Sequence, residues 1–197
     1  PTGFKKLNTF NLPDSTITDG SEQFDTALWT GNGSASGPTV SSLEFKPRFL
    51  WSKRRDSAAN HYLYDTVRSP ANSPNKFLNT NNTDAEQTFN AFTLADNGFT
   101  LATDNVYFNA SGGTYVSWNW KTAGYGSSNS DGSLTSTVSV NSTAGFSIVK
   151  VTGTSTGVTT IGHGLGIVPK MILKKTTSHT TNSVSYTHLR AHETMVD

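Results

Sequence analysis

The segment Thr114–Lys121 reads TYVSWNWK, and it indicates the fold class because its residues alternate in character with a period of two. Val116, Trp118 and Trp120 fall on one face of an extended strand, and the residues between them fall on the other face. We expect the face that carries the two tryptophans to pack inward against a core.

Short segments of the same kind lie on both sides of this strand, and no segment of 12 residues has helical spacing. Turn signals such as Asp96-Asn97-Gly98 separate them. The predicted strands are Phe24–Thr30, Val40–Phe45, Arg48–Lys53, His61–Val67, Lys76–Thr80, Thr88–Thr93, Phe99–Ala102, Val106–Asn109, Leu134–Val140, Phe146–Val151, Val158–Gly162 and Lys170–Lys175. Many short strands without helices predict an all-β, antiparallel β-sandwich.

The chain also repeats part of its own sequence at an offset of 122 residues. Phe24–Gly31 (FDTALWTG) corresponds to Phe146–Gly153 (FSIVKVTG), and Leu43–Lys53 (LEFKPRFLWSK) corresponds to Leu165–Lys175 (LGIVPKMILKK). A repeat of this kind marks the structural unit. It also tests candidate functional residues, because a residue that the shared scaffold needs should occur in both copies.

The repeat predicts the domain organisation, with one complete unit and the opening part of a second. We expect residues 1–23 to connect to an upstream domain and residues 124–133 to form a flexible Gly/Ser linker. The complete β-sandwich unit is expected at 24–123, and a truncated second repeat at 134–183.

The last residues, 184–197, differ in composition from the Ser/Thr-rich stretch before them. The string SYTHLRAHET resembles translated sequencing-adapter sequence, so we expect a non-native tail, with the repeat broken off near Lys175. His188 and His192 lie four residues apart next to Glu193, a spacing that could hold a metal ion on a helix. The order matches neither H-E-x-x-H nor H-x-x-E-H, so we expect no metal site there.

Composition narrows the function classes of this 197-residue chain. Only 34% of the residues are hydrophobic, but 11 Phe, 6 Tyr and 4 Trp favour a β domain with an aromatic core over a disordered chain. The net charge is +1, and the longest basic run is Lys53-Arg54-Arg55, so nothing favours nucleic acid as a partner. There is no cysteine. No apolar stretch reaches the roughly 18–20 residues needed to span a membrane, so we expect no membrane insertion.

Two polar motifs are better explained by turns than by ligands. Gly162–Gly166 (GHGLG) resembles a phosphate-binding loop, but a strand is predicted after it, and the first copy lacks His163 and the glycines. Asp104-Asn105 and Asp131 offer oxygen ligands for Ca²⁺, yet Asp and Asn also favour turns. We expect no cofactor and no metal at these positions.

The carboxylates form no recognisable catalytic pattern. Asp65 and Arg68 are expected to form a local ion pair at a strand end, and Asp84 and Glu86 lie in a polar loop. A glycosidase needs two carboxylates about 5–10 Å apart across a cleft. Neither an E-x-D-x-x-E run nor a G-x-S-x-G elbow occurs in the sequence. These observations predict a protein that is not an enzyme.

The four tryptophans could form a platform on which sugars stack, because amphipathic aromatic rings suit such surfaces. Trp29 and Trp51 correspond to aliphatic residues in the second copy, which predicts that both are core residues. Trp118 and Trp120 have no counterpart to compare. We expect them to pack in the core, and they remain the weak candidates for ligand binding.

Eight motifs occur in a fixed order over most of residues 1–176. They are TGFKKLNTFNLP, ALWTGNG, FKPRFLWSKRR, YLYDTVR, DNGFTL, YVSWNWKTAG, SSNSDGSLTSTVSVNSTAGFSIV and GHGLGIVPKMILKK. Together they resemble a domain family of marine bacteriophage tail and tail-fibre-like proteins. The resemblance implies a concanavalin- or laminin-G-like jelly-roll sandwich at the virion surface, with no established catalytic residues to transfer.

Three functions follow as hypotheses. The first is a virion surface module that binds host-surface glycans or supports such binding, with other tail subunits as partners and a homo-trimer as the full-length state. The second is a structural spacer in a fibre. The third, which the sequence favours least, is a polysaccharide-degrading enzyme.

Overall fold

Fourteen strands and one short helix make up the regular structure of the computed structural model, which describes residues 17–71, 73–154, 157–180 and 182–187. The strands are β1 Phe24–Thr30, β2 Thr39–Val40, β3 Phe49–Arg54, β4 His61–Asp65, β5 Asn75–Asn79, β6 Gln87–Phe89, β7 Phe92–Ala95, β8 Gly98–Leu101, β9 Thr114–Trp120, β10 Ser127–Asn129, β11 Ser136–Asn141, β12 Phe146–Val151, β13 Met171–Lys174 and β14 Val184–Thr187; the helix is α1 Val106–Asn109.

Two antiparallel sheets face each other in the first unit. The larger sheet has six strands in the order β1-β9-β3-β4-β5-β6, and the smaller sheet has three in the order β2-β8-β7. The predicted all-β, antiparallel sandwich is therefore confirmed. β9 lies between β1 and β3 and pairs with both, with Trp120 opposite Phe24 on one side and Phe49 on the other.

The core between the sheets is built mainly from aromatic rings. Phe77 of β5 lies 5.7 Å from Phe92 of β7 and 4.9 Å from Phe108 of α1, measured between ring centroids. Trp29 stacks on Tyr115 at 5.3 Å. Such pairs add to the stability that comes from burying the rings, which gives this short-stranded sandwich its core.

The prediction that the tryptophan face of β9 packs inward is wrong. Tyr115, Ser117 and Asn119 are each 0% exposed, whereas Trp118 and Trp120 are partly exposed on the outer face of the large sheet. The alternation predicts a strand with two faces, but it does not say which face meets the core.

The inner face accepts two polar residues because their side chains have partners. The hydroxyl of Ser117 donates to Oδ1 of Asn119 at 3.2 Å, and the Asn119 amide group donates to the backbone carbonyl of Asp25 at 3.1 Å. Buried polar groups that are hydrogen-bonded in this way avoid the cost of an unpaired group.

The two tryptophans assigned to the core by the repeat have different environments. Trp29 is buried, and its indole N–H donates to the backbone carbonyl of Phe108 at 2.9 Å, so this prediction is confirmed. Trp51 is partly exposed on the outer face, opposite Trp118, so its assignment to the core is wrong. An aliphatic residue at the corresponding position of the second copy shows only that the shared scaffold does not require an indole at that position. Such a position can lie at the surface as well as in the core.

The predicted strand Val106–Asn109 is instead helix α1. The side chain of Asn105 accepts a hydrogen bond from the backbone N–H of Tyr107 at 2.9 Å, which caps the first turn. Phe108 then reaches the core and is 1% exposed. The cap and this tertiary contact override the strand propensity of the local sequence.

The segment 124–133 also differs from its prediction as a flexible linker. It contains β10, which pairs with β11, and β11 in turn pairs with β12 to form a three-stranded sheet. The second copy therefore joins the first unit through a segment with its own strand pairing.

One strand pair of the second copy repeats a pair of the first. β13 pairs with β14 so that Met171 lies opposite Thr187. At the offset of 122 residues these positions correspond to Phe49 and Asp65, which lie opposite each other in β3 and β4. The repeated pairing thus extends to Thr187, past the break that the sequence placed near Lys175.

Candidate functional site

The candidate site is a shallow groove on the outer face of the six-stranded sheet. Five side chains line it, and its volume is about 240 Å³. They are Phe24, Trp51, His61, Trp118 and Trp120. We call this feature the aromatic groove.

Strand register brings these residues together from distant parts of the chain. Trp118 lies opposite Trp51 of β3, and Trp120 lies opposite Phe24 of β1. Because alternate residues of a strand share a face, Trp118 and Trp120 both point to the outer side. Placing β9 between β1 and β3 therefore creates a patch of rings that no single segment of sequence contains.

The rings of the aromatic groove are tilted against one another. The centroids of Trp51 and Trp118 are 6.0 Å apart with an angle of 67° between the ring planes, and those of Phe24 and Trp120 are 4.7 Å apart at 53°. Phe24 is 40% exposed. Rings tilted in this way do not cover each other's faces, which leaves aromatic surface open to a ligand.

The second repeat closes one side of the groove. Phe146 of β12 stacks on Trp120, with 5.6 Å between centroids and 17° between planes, and it also contacts Phe49 edge-on at 5.4 Å. In the repeat, Phe146 corresponds to Phe24. One copy thus contributes a ring that lines the groove, and the other contributes a ring that borders it.

His61 provides the titratable group of the aromatic groove. Its Nδ1 accepts a hydrogen bond from the indole N–H of Trp51 at 3.2 Å. Desolvation by burial, with a smaller effect of the Lys53 ammonium, lowers the pKa of His61 below its ordinary value of 6.5. The neutral imidazole is therefore favoured, and only a neutral ring can accept at Nδ1.

The Asp65–Arg68 ion pair expected from the sequence is present and buried. Arg68 contacts the carboxylate of Asp65, donates to Glu86 at 3.0 Å and donates to the backbone carbonyl of Leu63 at 3.0 Å. Lys76 also contacts Glu86 at 3.1 Å. These carboxylates are held by cations and hydrogen bonds, which is the arrangement of a structural network.

Asp84, the other carboxylate in the polar loop, is similarly occupied. One of its oxygens accepts hydrogen bonds from the side-chain amides of Asn79 at 3.1 Å and Asn82 at 2.8 Å. These amides hold Asp84, and Arg68 holds Glu86, so both carboxylates fix the conformation of the loop.

The remaining sequence candidates serve turns or caps. Asn105 caps α1, and the exposed Asp131 accepts from the side chain of Asn129 at 2.9 Å. The exposed Asp104 has no role in the aromatic groove. His163 uses Nδ1 to accept the backbone N–H of Leu165 at 3.1 Å.

The described ranges hold neither a metal-binding cluster nor a membrane-spanning helix. There, no three His, Asp or Glu side chains lie close enough together to hold a metal ion. Across the same ranges, no helix combines the length and hydrophobicity required to cross a bilayer. His188, His192 and Glu193 lie outside the described residues.

Residues 19–196 match the family model of a domain of unknown function, DUF7483. The chain belongs to the DUF7483 family. The match to DUF7483 spans the aromatic groove, both copies of the repeat and most of the segment expected to be a non-native tail. No curated protein and no solved structure matches the chain.

Sequence reasoning found two of the five residues of the groove in this DUF7483 domain as ligand candidates, Trp118 and Trp120. It missed Phe24, His61 and, by assigning it to the core, Trp51. The repeat pointed away from Phe24, because a phenylalanine in both copies marks a position that the shared scaffold needs. No sequence signal marks His61, because its role depends on the pairing of β3 with β4.

Proposed function

We propose that this DUF7483 domain is a non-catalytic saccharide-binding module, and that it recognises glycans on a host surface as part of a virion tail protein. The observation that supports the proposal is the aromatic groove, an open patch of tilted rings on the outer face of a β-sandwich. Aromatic side chains offer a large apolar surface, and the indole N–H adds a polar contact. Binding sites of this kind combine apolar walls with a few polar groups.

The polar groups around the groove fit hydroxyl-rich ligands. His61 in its neutral form has an N–H at Nε2, and Lys53 lies close enough to influence its pKa. Both can donate to sugar oxygens while a pyranose ring lies against Trp118 or Trp51. The buried carboxylates described above are tied to cations and amides elsewhere, which favours binding without hydrolysis.

Direct binding measurements test the proposal. We expect the full chain to bind saccharides on a glycan array and to bind cellohexaose or laminarihexaose in calorimetry. Trp118→Ala should weaken binding by about tenfold or more, equivalent to about 1.4 kcal/mol, and Trp118→Phe should weaken it less. Leu28→Ala is the matched control, because Leu28 is 63% exposed on β1 and does not line the groove.

The proposal is wrong if the folded chain gives no signal on the array, or if Trp118→Ala binds as well as the unmodified chain. Circular dichroism of each variant establishes that loss of binding is not loss of fold. The same samples can be incubated with marine polysaccharides, where release of reducing ends would instead indicate an enzyme.

A structural spacer is the second candidate, and the stacking of Phe146 on Trp120 favours it. This contact fixes the second repeat against the first, as a fibre built from tandem units would require. A spacer should form trimers in light scattering and bind no saccharide. Saccharide binding that depends on Trp118 would argue against a purely structural role.

A further inference from the structure

The indole of Trp51 donates one hydrogen bond within the aromatic groove. Its indole N–H lies 3.2 Å from Nδ1 of His61, and an indole N–H can only donate. Nδ1 must therefore carry a lone pair, and the proton of the neutral imidazole must be on Nε2. The two rings meet edge to face, with centroids 6.0 Å apart.

Trp51 is also the ring that connects the imidazole to the rest of the groove. Its strand, β3, lies between β4, which carries His61, and β9, which carries Trp118. The centroids of Trp51 and Trp118 are 6.0 Å apart. Turning the Trp51 side chain would change the shape of the surface that Trp51 and Trp118 present together. A hydrogen bond that fixes this side chain therefore fixes the shape of the groove.

We infer that His61 is a positioning residue that holds Trp51 in its ligand-binding orientation only while the imidazole is neutral, so that saccharide binding weakens in acid. This inference rests on the proposed function of the same groove. Protonation places an N–H on Nδ1, where it faces the indole N–H as a second donor. The hydrogen bond is then lost, and Trp51 is released from that orientation.

The surroundings of His61 determine the pH at which this happens. Lys53 on β3 is the charged group, among the residues that the structure describes, that acts on the imidazole, and it opposes protonation. The polar contacts of the His61 backbone are with neutral groups, Asn81 and Thr80, and β9 carries the apolar Val116 opposite Lys53. Burial opposes protonation too, so the transition lies below pH 6.5.

Nuclear magnetic resonance of the free chain tests the switch without any ligand. The indole ¹H–¹⁵N signal of Trp51, assigned by its absence in Trp51→Phe, is followed from about pH 8 to about pH 4. We expect it to shift with one midpoint below 6.5. His61→Gln should remove this titration, because the glutamine oxygen can accept a hydrogen bond and does not titrate. His163→Gln is the matched control and should leave the titration unchanged.

Binding of laminarihexaose at the two ends of this pH range provides the second readout. Losing one hydrogen bond should weaken binding by about two- to tenfold in acid, and His61→Gln should bind with little pH dependence. An indole signal that does not titrate, or a titration that persists in His61→Gln, would overturn the inference. If the signal titrates as expected but laminarihexaose binds at neither pH, the proposed function fails for this ligand while the positioning role stands.

Discussion

Replacing Leu50 by alanine tests which face of the large sheet meets the core. Leu50 is 0% exposed on β3, where it lies opposite Asn119 of β9 and Tyr64 of β4. It alternates with Trp51, so the expectation that Trp51 is buried would have placed Leu50 at the surface. A buried Leu50 and an exposed Leu50 predict very different losses of stability for the Leu50→Ala variant.

The magnitude follows from burial. Removing a fully buried leucine side chain costs about 3–5 kcal/mol, because transfer energy and a residual cavity add. Leu28→Ala is the matched control: Leu28 is 63% exposed, so the little surface it buries corresponds to about 0.5–1 kcal/mol. At about 2–4 °C per kcal/mol for a chain of this size, Leu50→Ala should lower Tm by roughly 6–20 °C, and Leu28→Ala by less than about 4 °C.

Urea unfolding at 25 °C, followed by circular dichroism, gives the free energies of unfolding, and calorimetry gives Tm. The m-value should remain unchanged, since neither substitution alters the surface that unfolding exposes by much. If Leu50→Ala and Leu28→Ala cost the same within about 0.5 kcal/mol, the assignment of the faces is wrong, and the aromatic groove with it.

Three further predictions concern other parts of the fold. Arg68→Met should cost about 3–5 kcal/mol in urea unfolding, because it leaves the buried carboxylate of Asp65 without its cation. Lys46→Met removes an exposed pair and should cost less than about 1 kcal/mol; equal losses would contradict the buried network. Gly98→Ala should cost more than about 2 kcal/mol, because the new Cβ would collide with the backbone oxygen of Val40 in β2 at a φ of +149°. Gly112→Ala has open space around it and should cost only about 1 kcal/mol; the reverse order would refute the turn geometry. A hydrogen bond from Arg54 lowers the pKa of Asp56 to about 2. The Asp56 carboxylate therefore adds stability above pH 3.8 that is lost as the pH falls towards 2. The free energy of unfolding in urea should depend less steeply on pH in this range for Asp56→Asn, and an unchanged slope would exclude this contribution.

The strands were largely predictable because their signal is local. The alternation in Thr114–Lys121 and the turn at Gly98 predict a strand and a hairpin without knowledge of the rest of the chain. Helix α1 was not predictable in this way, because it depends on the Asn105 cap and on the packing of Phe108 in a core formed by distant segments. Strand periodicity likewise leaves open which face is buried, and this explains the wrong orientation of Trp118.

The candidate site was much less predictable than the fold. Phe24 meets Trp120 only because β1 pairs with β9, and Trp51 meets His61 only through the register of β3 and β4. Such contacts depend on pairing between remote segments, which one sequence does not encode in any local pattern. The internal repeat misled for Trp51, because an aliphatic residue at the corresponding position of the second copy does not show that the indole is buried.

The position of β9 between β1 and β3 has a consequence for synthesis of the chain. About 90 residues separate the start of β1 at Phe24 from the start of β9 at Thr114. At a translation rate of about 5–20 residues per second, the ribosome needs roughly 5–20 s to make that interval. Until residue 120 is released, β1 and, once it is made, the adjoining edge of β3 have no partner strand, and unpaired strand edges of this kind are prone to aggregate.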